Sequence, residues 1–577
     1  MYQNGSVKIE LSSPRLYIAN PFRNAQNIIQ ILNQSKASFV LFAELCLSSY
    51  TAGDLFFENN FLQENLKALK FIINNNNFEG VYFIGMPFCL EGLIYNVAVV
   101  VQGPKILGIV PKHTIPNYKE FSEKRWFQSG KFVQNKLVDF LEQKVPFGNI
   151  LFINKKFDII FGVEICQDLW TIESPSDLLS LNGAHLIFNL SASTEHIGKS
   201  QLRKTAVLDH SRKQIGGYFY TSSGISETTT DTLFSNHKIA ACLGEIIGEK
   251  DLFNQDISLL VDVFVDVIKY QRRIDTTYGD QKIGKESFFL KSYFNLKEVN
   301  NYYFEKKFHQ KPFISESNLE EDLKISSAIQ FFSLQSRLSK ISEVEVILYM
   351  DEELNVFLTL LIVMNFFIQK KPKKQKLIIF LNSEIFLDKE LFILLKKFLD
   401  KKGIEVILNN FFIKKDKNKK ILCLESYNLS NIAIGQINNN NYCHEFSYNL
   451  NIGISNTFMV ELILFYLRND ILEIDLDLKQ IYLDKLNNFL TIDLIIDDFI
   501  LYHYLKHNFS IIKIAFLIEK VFLFDKEKSL NKVKTYMSNF FKYQYKRQKI
   551  VSGPKIFEYS LSSRTELKLP IFIQRQK

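Results

Sequence analysis

A single thiol, Cys166, closes the apolar run Phe157-Asp158-Ile159-Ile160-Phe161-Gly162-Val163-Glu164-Ile165 and is followed by the polar pair Gln167-Asp168. Short runs rich in Ile, Phe and Val and free of proline form buried strands. In open α/β folds, ligands gather at the carboxyl ends of strands. A thiol placed there is a candidate nucleophile; the plainer alternative is a small buried hydrophobe. Two other polar side chains stand in the same relation to core strands. Glu44 follows Ala37-Ser38-Phe39-Val40-Leu41-Phe42-Ala43. It is either a solvent-facing residue at the strand end or a buried general base with a raised pKa. Lys112 follows Ile106 to Pro111, and because lysine is ordinarily a surface residue, it gains meaning only in such company.

The elements that must carry these groups alternate. Apolar spacing at Ile28, Ile29, Ile31 and Leu32 predicts a helix over Pro21 to Ser35, with proline suited to the first turn. A helix is expected over Leu55 to Asn74 and a strand over Val81 to Ile84. A hairpin is expected from Ile94 to Val110 around Gln102-Gly103-Pro104-Lys105. Beyond Cys166 come a short helix from Ser176 to Asn182, a strand from His185 to Leu190, a polar helix from Lys199 to Ile215 and a strand from Tyr218 to Thr221. This order predicts a layered α/β domain with helices outside, closing near Asp266.

A chain of 577 residues exceeds one ordinary core, so at least two domains are expected. The formal charge of +8 is a mild surplus at this length. The lysine patches at 370–374 and 414–420 lack interleaved aromatics and read as solvated turns, not as nucleic-acid contacts. Six cysteines are scattered singly, with no C-x-x-C pair to suggest a zinc ribbon or a disulfide scaffold, and no metal site is predicted. The polar stretch from Met1 to Leu11 lacks the apolar core of a signal peptide, and the apolar stretch from Val356 to Ile368 is too short to span a bilayer. The expectation is a soluble cytoplasmic protein that binds no membrane.

Five separated stretches then carry a specific resemblance: Glu44 to Tyr50, Lys112 to Phe121, Val163 to Asp168, Asn189 to Ser193, and Thr228 to Asp231. In order and wording they resemble the nitrilase (carbon–nitrogen hydrolase) superfamily, in the subfamily that forms the glutaminase half of glutamine-dependent NAD synthetases. The resemblance implies an αββα layered domain and a Glu44-Lys112-Cys166 triad. Cys166 would attack the amide of L-glutamine, Glu44 would move the proton, and Lys112 would stabilise the oxyanion. It also implies that Tyr118, Ser193 and Lys199 bind glutamine. Lys199 stands where the family usually carries arginine, which keeps the charge without the planar fork. Gln167 stands where many relatives carry Glu. Glu120 is either a second carboxylate supporting Lys112 or a surface residue. No cofactor is implied for the amidase half, and a homo-oligomer is expected.

The segment 266–315 reads as a linker with partial structure, after a first domain over 1–265. From residue 316 to 577, strands at Val344–Leu348, Leu377–Leu381 and Ile404–Leu408 alternate with helices. That order predicts a parallel, Rossmann-like sheet. The family places an ATP pyrophosphatase-type domain here, using ATP and Mg2+ to amidate deamido-NAD. The stretches Asp497 to Tyr504, Phe540 to Arg547, Gly553-Pro554-Lys555 and Ser560 to Arg564 resemble its late segments, and Asn431 and Lys546 are the nucleotide-binding candidates. Its phosphate loop, Ser-Gly-Gly-x-Asp-Ser, is replaced by Asp351-Glu352-Glu353-Leu354-Asn355-Val356. Glycines there let backbone N–H groups approach phosphate, whereas carboxylates repel it. A later segment, Asn428 to Gly435, carries Asn431 where the family has a metal-binding Glu, and Asn438 to Tyr442 replace its Thr and Gly-Asp. The expectation is glutamine hydrolysis without the synthetase step. The alternatives are a degraded copy or non-catalytic scaffold subunit, and a nitrilase-type hydrolase of another small amide.

Overall fold

Apolar strands that alternate with helices bury both faces of a sheet only when layers stack, and the first unit is built this way. The computed structural model describes residues 1–229, 231–282, 284, 288–341, 343–382, 384–408, 420–437 and 446–573. They form two compact units, Met1–Lys307 and Phe308–Lys577. The lysine patch at 414–420 lies outside the described residues except for Lys420, as do Thr230 and the stretch from Asn438 to Tyr442.

In the first unit a nine-stranded and a seven-stranded sheet pack face to face. Their shared core is aromatic, with Phe39 and Phe83 of one sheet against Phe161 and Phe188 of the other. The helices Pro21–Gln34 and Asn59–Asn75 cover the outer face of the first sheet. The helices Pro175–Leu181 and Lys199–Lys213 cover that of the second. The αββα architecture expected for the first half is therefore present.

Several elements differ from expectation. The polar-looking amino terminus contains a fully buried strand, Ser6–Ser12. Val7, Ile9 and Leu11 face the inter-sheet core, while the intervening Glu10 is buried with the Ser35 and Ser258 hydroxyls donating to it. The sequence alternates with period two, but burial of its polar face as well as its apolar face could not be expected from that pattern. The strand at Val81 runs on to Leu90 and forms a long hairpin with Leu93–Gln102. A 3-10 segment, Tyr50–Phe57, precedes the helix expected from Leu55, which begins at Asn59. The segment read as a linker is divided between the units. Its first part contributes the helix Val265–Ile274 and the strand Leu290–Tyr293, which pairs in parallel with Ile150–Asn154 in the seven-stranded sheet.

The second unit holds a five-stranded, wholly parallel sheet in the order Glu405–Leu408, Gln375–Leu381, Val344–Met350, Ile421–Glu425, Phe446–Asn449. The helix Leu354–Lys370 is buried on nearly every side, as expected of a helix without a polar face. The Asp497–Tyr504 stretch lies within the helix Ile492–His507. Among the described residues no helix is long and apolar enough to cross a membrane.

Candidate active site

The strand Phe39–Leu41 delivers Glu44, the strand Lys105–Pro111 delivers Lys112, and the strand Ile159–Ile165 delivers Cys166. Glu44 and Lys112 are fully buried, at 0 % exposure, and Cys166 is 7 % exposed. The Lys112 ammonium donates to Glu44 Oε1 at 2.7 Å, and to both oxygens of Glu123 at 2.8 Å. The Asn96 amide donates to Glu44 Oε1 at 2.8 Å, and the Ala192 N–H to Glu44 Oε2 at 2.9 Å. Glu44 is thus a buried carboxylate held on both oxygens, and the solvent-facing alternative is excluded. Gly85, in the neighbouring strand, makes its placement possible. A Cβ there would lie 2.3 Å from the Leu45 nitrogen and 2.8 Å from the Ala43 oxygen, so any side chain would lift the Glu44 loop off the sheet.

The carboxylate that supports Lys112 is Glu123, not Glu120. Glu120 accepts from the Thr194 hydroxyl at 2.8 Å, away from the ammonium. Glu123 is buried and also accepts from the Tyr50 hydroxyl at 2.8 Å. Burial works against charge on Lys112, but Glu123 and Glu44 more than offset it and hold the ammonium above the ordinary lysine range. Burial, opposed by Lys112, raises Glu123. Two buried carboxyls share this one cation.

Cys166 sits at φ +46°, in the left-handed region that L-residues rarely adopt. Its N–H donates to Asn189 Oδ1 at 3.3 Å, which also accepts from the Ser191 hydroxyl at 2.8 Å. Burial pushes the thiol up to about 12; Glu44 adds to the rise and Lys112 opposes it. Raised this far, the sulfur is held as a neutral thiol near neutral pH, within the field of Glu44 and Lys112. Asp168 ties the two loops together, accepting from Thr114 N at 2.7 Å, His113 N at 3.3 Å and Ile165 N at 3.1 Å. The loop behind Lys112 and the turn carrying Cys166 share one buried carboxylate.

The glutamine-binding candidates are less uniform. Tyr118 is 49 % exposed, and its hydroxyl donates to Gln167 Oε1 at 3.0 Å. Ser193 is buried, and its hydroxyl accepts from Arg203 Nη2 at 3.1 Å. Lys199 is half-buried, with its ammonium 4.1 Å from the Trp170 ring centre. Arg203, one helical turn beyond Lys199, was not singled out from sequence. It is fully buried, ion-paired to Glu195 at 3.0 Å and hydrogen-bonded to His237 at 2.8 Å. A fixed guanidinium stands behind Ser193, and both Lys199 and Arg203 lie within the electrostatic reach of Cys166.

Glu164 is a further buried carboxyl beneath the site. It accepts from the Tyr218 hydroxyl and, at 2.9 Å, from Ser176 N. Burial, reinforced by Asp168, pushes it up to about 7. A carboxyl raised on folding stabilises the fold fully below its unfolded pKa and loses that contribution as pH rises through the folded value. From pH about 4.5 to about 7, this group removes roughly 3 kcal/mol of stability. Glu164→Gln should flatten the fall in denaturation midpoint across that window, as followed by urea unfolding at a series of pH values.

In the second unit, a cleft of about 910 Å³ opens beside the loop that follows the strand Val344–Met350. Asn431 lines it, its Oδ1 accepting from Asn355 Nδ2 at 2.9 Å. Lys546 does not line it; its ammonium donates to the Gly435 carbonyl at 2.8 Å and caps the segment behind. Glu352 and Glu353 line the cleft, and Glu352 pairs with Lys485 at 3.0 Å. The residues present do not fit a triphosphate: side-chain carboxylates occupy the place where backbone N–H groups would be needed.

Residues 16–219 match the family model described as carbon-nitrogen hydrolase. The first unit thus has a nitrilase-like αββα fold, with residues 16–219 similar to the carbon–nitrogen hydrolases, and is joined to a carboxyl-terminal α/β domain. Its homologues include glutamine-dependent NAD(+) synthetases. That of Mycobacterium tuberculosis is 27% identical over 288 residues, covering 49% of this chain and 42% of the relative. That of Thermotoga maritima is 32% identical over 248 residues, covering 42% and 39%. The matches therefore span about two-fifths of those relatives' own length. A solved glutamine-dependent NAD(+) synthetase from Cytophaga hutchinsonii is similar over 98% of both chains at 14% identity, with a TM-score of 0.41.

Proposed function

We propose that the first unit hydrolyses L-glutamine to glutamate and ammonia, with Cys166 as nucleophile, Glu44 as general acid and base, and Lys112 as the oxyanion donor. The observation that carries this proposal is the buried contact of Lys112 with Glu44 and Glu123, at 2.7 and 2.8 Å, within the field that acts on the Cys166 thiol. In the first step the sulfur–carbon bond forms while Glu44 takes the thiol proton. Lys112 meets the negative charge that develops on the amide oxygen. The carbon–nitrogen bond then breaks, and Glu44 returns the proton to the departing ammonia. Glu44 next takes a proton from water as its oxygen attacks the glutamyl thioester, and passes that proton to the sulfur as the sulfur–carbon bond breaks and glutamate leaves. A thiol at about 12 is a poor nucleophile alone, so transfer to Glu44 must accompany attack. Tyr118, Ser193 and Lys199 bind glutamine, and Arg203 positions Ser193 from behind. Glu123 positions Lys112.

The relatives named above are NAD(+) synthetases, whose reaction passes ammonia to deamido-NAD with ATP and Mg2+. In this chain, we propose, that second step is absent. The support is the Asp351-Glu352-Glu353 loop at the carboxyl end of a central parallel strand, and Asn431 in place of a metal-binding carboxylate. The activity belongs to a soluble cytoplasmic homo-oligomer in this proposal. An assay of glutamine hydrolysis, run with and without ATP, Mg2+ and deamido-NAD, tests both halves. Ammonia and glutamate should form at the same rate in either condition, and no NAD should appear. NAD formation that depends on ATP would overturn the second half alone; failure to hydrolyse glutamine would overturn the first.

A further inference from the structure

The cleft of the second unit keeps the place of a ligand site in a parallel sheet. It is lined by residues that follow the strands Val344–Met350, Gln375–Leu381 and Ile421–Glu425, at their carboxyl ends. Its volume of about 910 Å³ is that of a small-molecule pocket. Its charge is unusual for such a place. Glu352, Glu353, Asp388, Asp484 and Asp497 line it, against Lys485 as the one lining cation among the described residues. Lys485 pairs with Glu352, and Lys532 pairs with Asp497 at 3.0 Å. Among the described residues no ion pair offsets Glu353, Asp388 or Asp484. Asp388 accepts from Leu391 N at 3.0 Å and Asp484 from the Gln480 amide at 2.9 Å, both neutral donors.

Two further lining groups point to an absent partner. The Asn355 side-chain amide oxygen Oδ1 and the Tyr536 hydroxyl are buried, in residues only 6 % and 5 % exposed, and neither has a hydrogen-bond partner among the described residues. Buried polar atoms left unpaired cost about 1–3 kcal/mol each. Leu354, Ile481 and Phe489 supply apolar wall between the charges. Among the described residues no three His, Cys, Asp or Glu side chains are close enough to hold one metal ion. The negative charge is therefore spread along the cleft, which suits several separated cationic centres on an apolar backbone better than a point charge.

We propose that this cleft binds an aliphatic polyamine. Its ammonium groups meet Glu353, Asp388 and Asp484 and donate to Asn355 and Tyr536, while its methylene segments lie on the apolar wall. The proposal rests on the proposed absence of the ATP-dependent step and is independent of glutamine hydrolysis. Calorimetric titration of the full-length protein with spermidine tests it. Saturable one-site binding is expected, weakening when sodium chloride is raised from about 0.05 M to about 0.5 M. The double variant Glu353→Gln/Asp484→Asn should lose at least about tenfold in affinity, a difference of about 1.4 kcal/mol. Tyr536→Phe should weaken binding less, and Glu320→Gln, outside the cleft, should leave it unchanged. Glutamine hydrolysis measured on the same preparations should be unaffected by all three. Mg2+ with ATP, and Mg2+ alone, are titrated separately. Saturable binding of Mg2+-ATP that displaces spermidine, binding of Mg2+ lost in the double variant, spermidine affinity equal in the wild type and the double variant, or no spermidine binding would each overturn the proposal.

Discussion

Cys166→Ala should abolish glutamine hydrolysis, lowering kcat by about 10⁴-fold or more, while leaving the protein folded. Removing a covalent nucleophile leaves only binding and oxyanion stabilisation, which retain a small fraction of the catalysed rate. The side chain is small and the change deletes one sulfur atom. The left-handed backbone at φ +46° is fixed by the strand before it and by Asn189, so the turn itself does not depend on the thiol. The thermal midpoint should therefore move by only a few degrees. A stopped assay for glutamate, with circular dichroism on the same sample, checks both statements. A thiol-directed glutamine analogue should label the wild type at one cysteine and fail to label the variant. Hydrolysis surviving in Cys166→Ala would assign the reaction to other residues.

The second large effect belongs to Lys112→Ala. Here the losses are in rate and stability together. The ammonium is the shared counter-ion of Glu44 and Glu123, all three buried. Removing one partner of a buried ion pair costs about 3–5 kcal/mol, because the remaining charge is left uncompensated. Removing an oxyanion donor costs about 10²–10³-fold in kcat. The destabilisation should depend on pH with a definite sign. Burial already raises Glu123 to about 7 against the pull of Lys112, and without the cation that carboxyl is raised further. Such groups favour the fold at low pH and lose that contribution as pH rises, so the variant should be closest to wild type near pH 5 and furthest from it near pH 8. Urea denaturation at both pH values measures the difference. Lys112→Met restores packing without charge and should recover little activity. A variant as stable as wild type at pH 8 would mean that the buried network carries little energy.

The three residues at strand ends were legible in the sequence because each breaks a rule of local composition. A carboxylate, an ammonium and a thiol stand directly behind apolar runs, where charge is expensive. Glu123 was not legible for the opposite reason. It lies beyond a short irregular hairpin, Asn117–Tyr118 with Phe121–Ser122, in a 3-10 turn. No periodicity distinguishes it from Glu120 three residues earlier, and only the path of the loop decides which carboxylate turns inward. Arg203 was hidden because the helix Lys199–Lys213 has no apolar stripe to show which side faces the sheet. The spacing from Lys199, one turn, was the available signal. The strand Ser6–Ser12 alternates in the sequence, but the burial of Lys8 and Glu10 becomes intelligible only with the partners brought by distant segments. In the second unit, the parallel sheet was legible from strand–helix alternation. The acidic loop was legible as a loop, but the cleft it borders depends on residues from the later helices, which no local pattern reveals.

Gly85 carries a consequence for how this centre tolerates change. The nearest backbone to the Glu44 loop belongs to another strand, and the space between them is smaller than one methyl group. Glu44 is therefore located by the register of two neighbouring strands and not by the loop that bears it. The loop itself, Ala43 to Ser49, is buried throughout, and a single added carbon at position 85 would displace Glu44 with it as a unit. The freedom of this chain to drift is narrowest at a residue that has no side chain and takes part in none of the proposed chemistry.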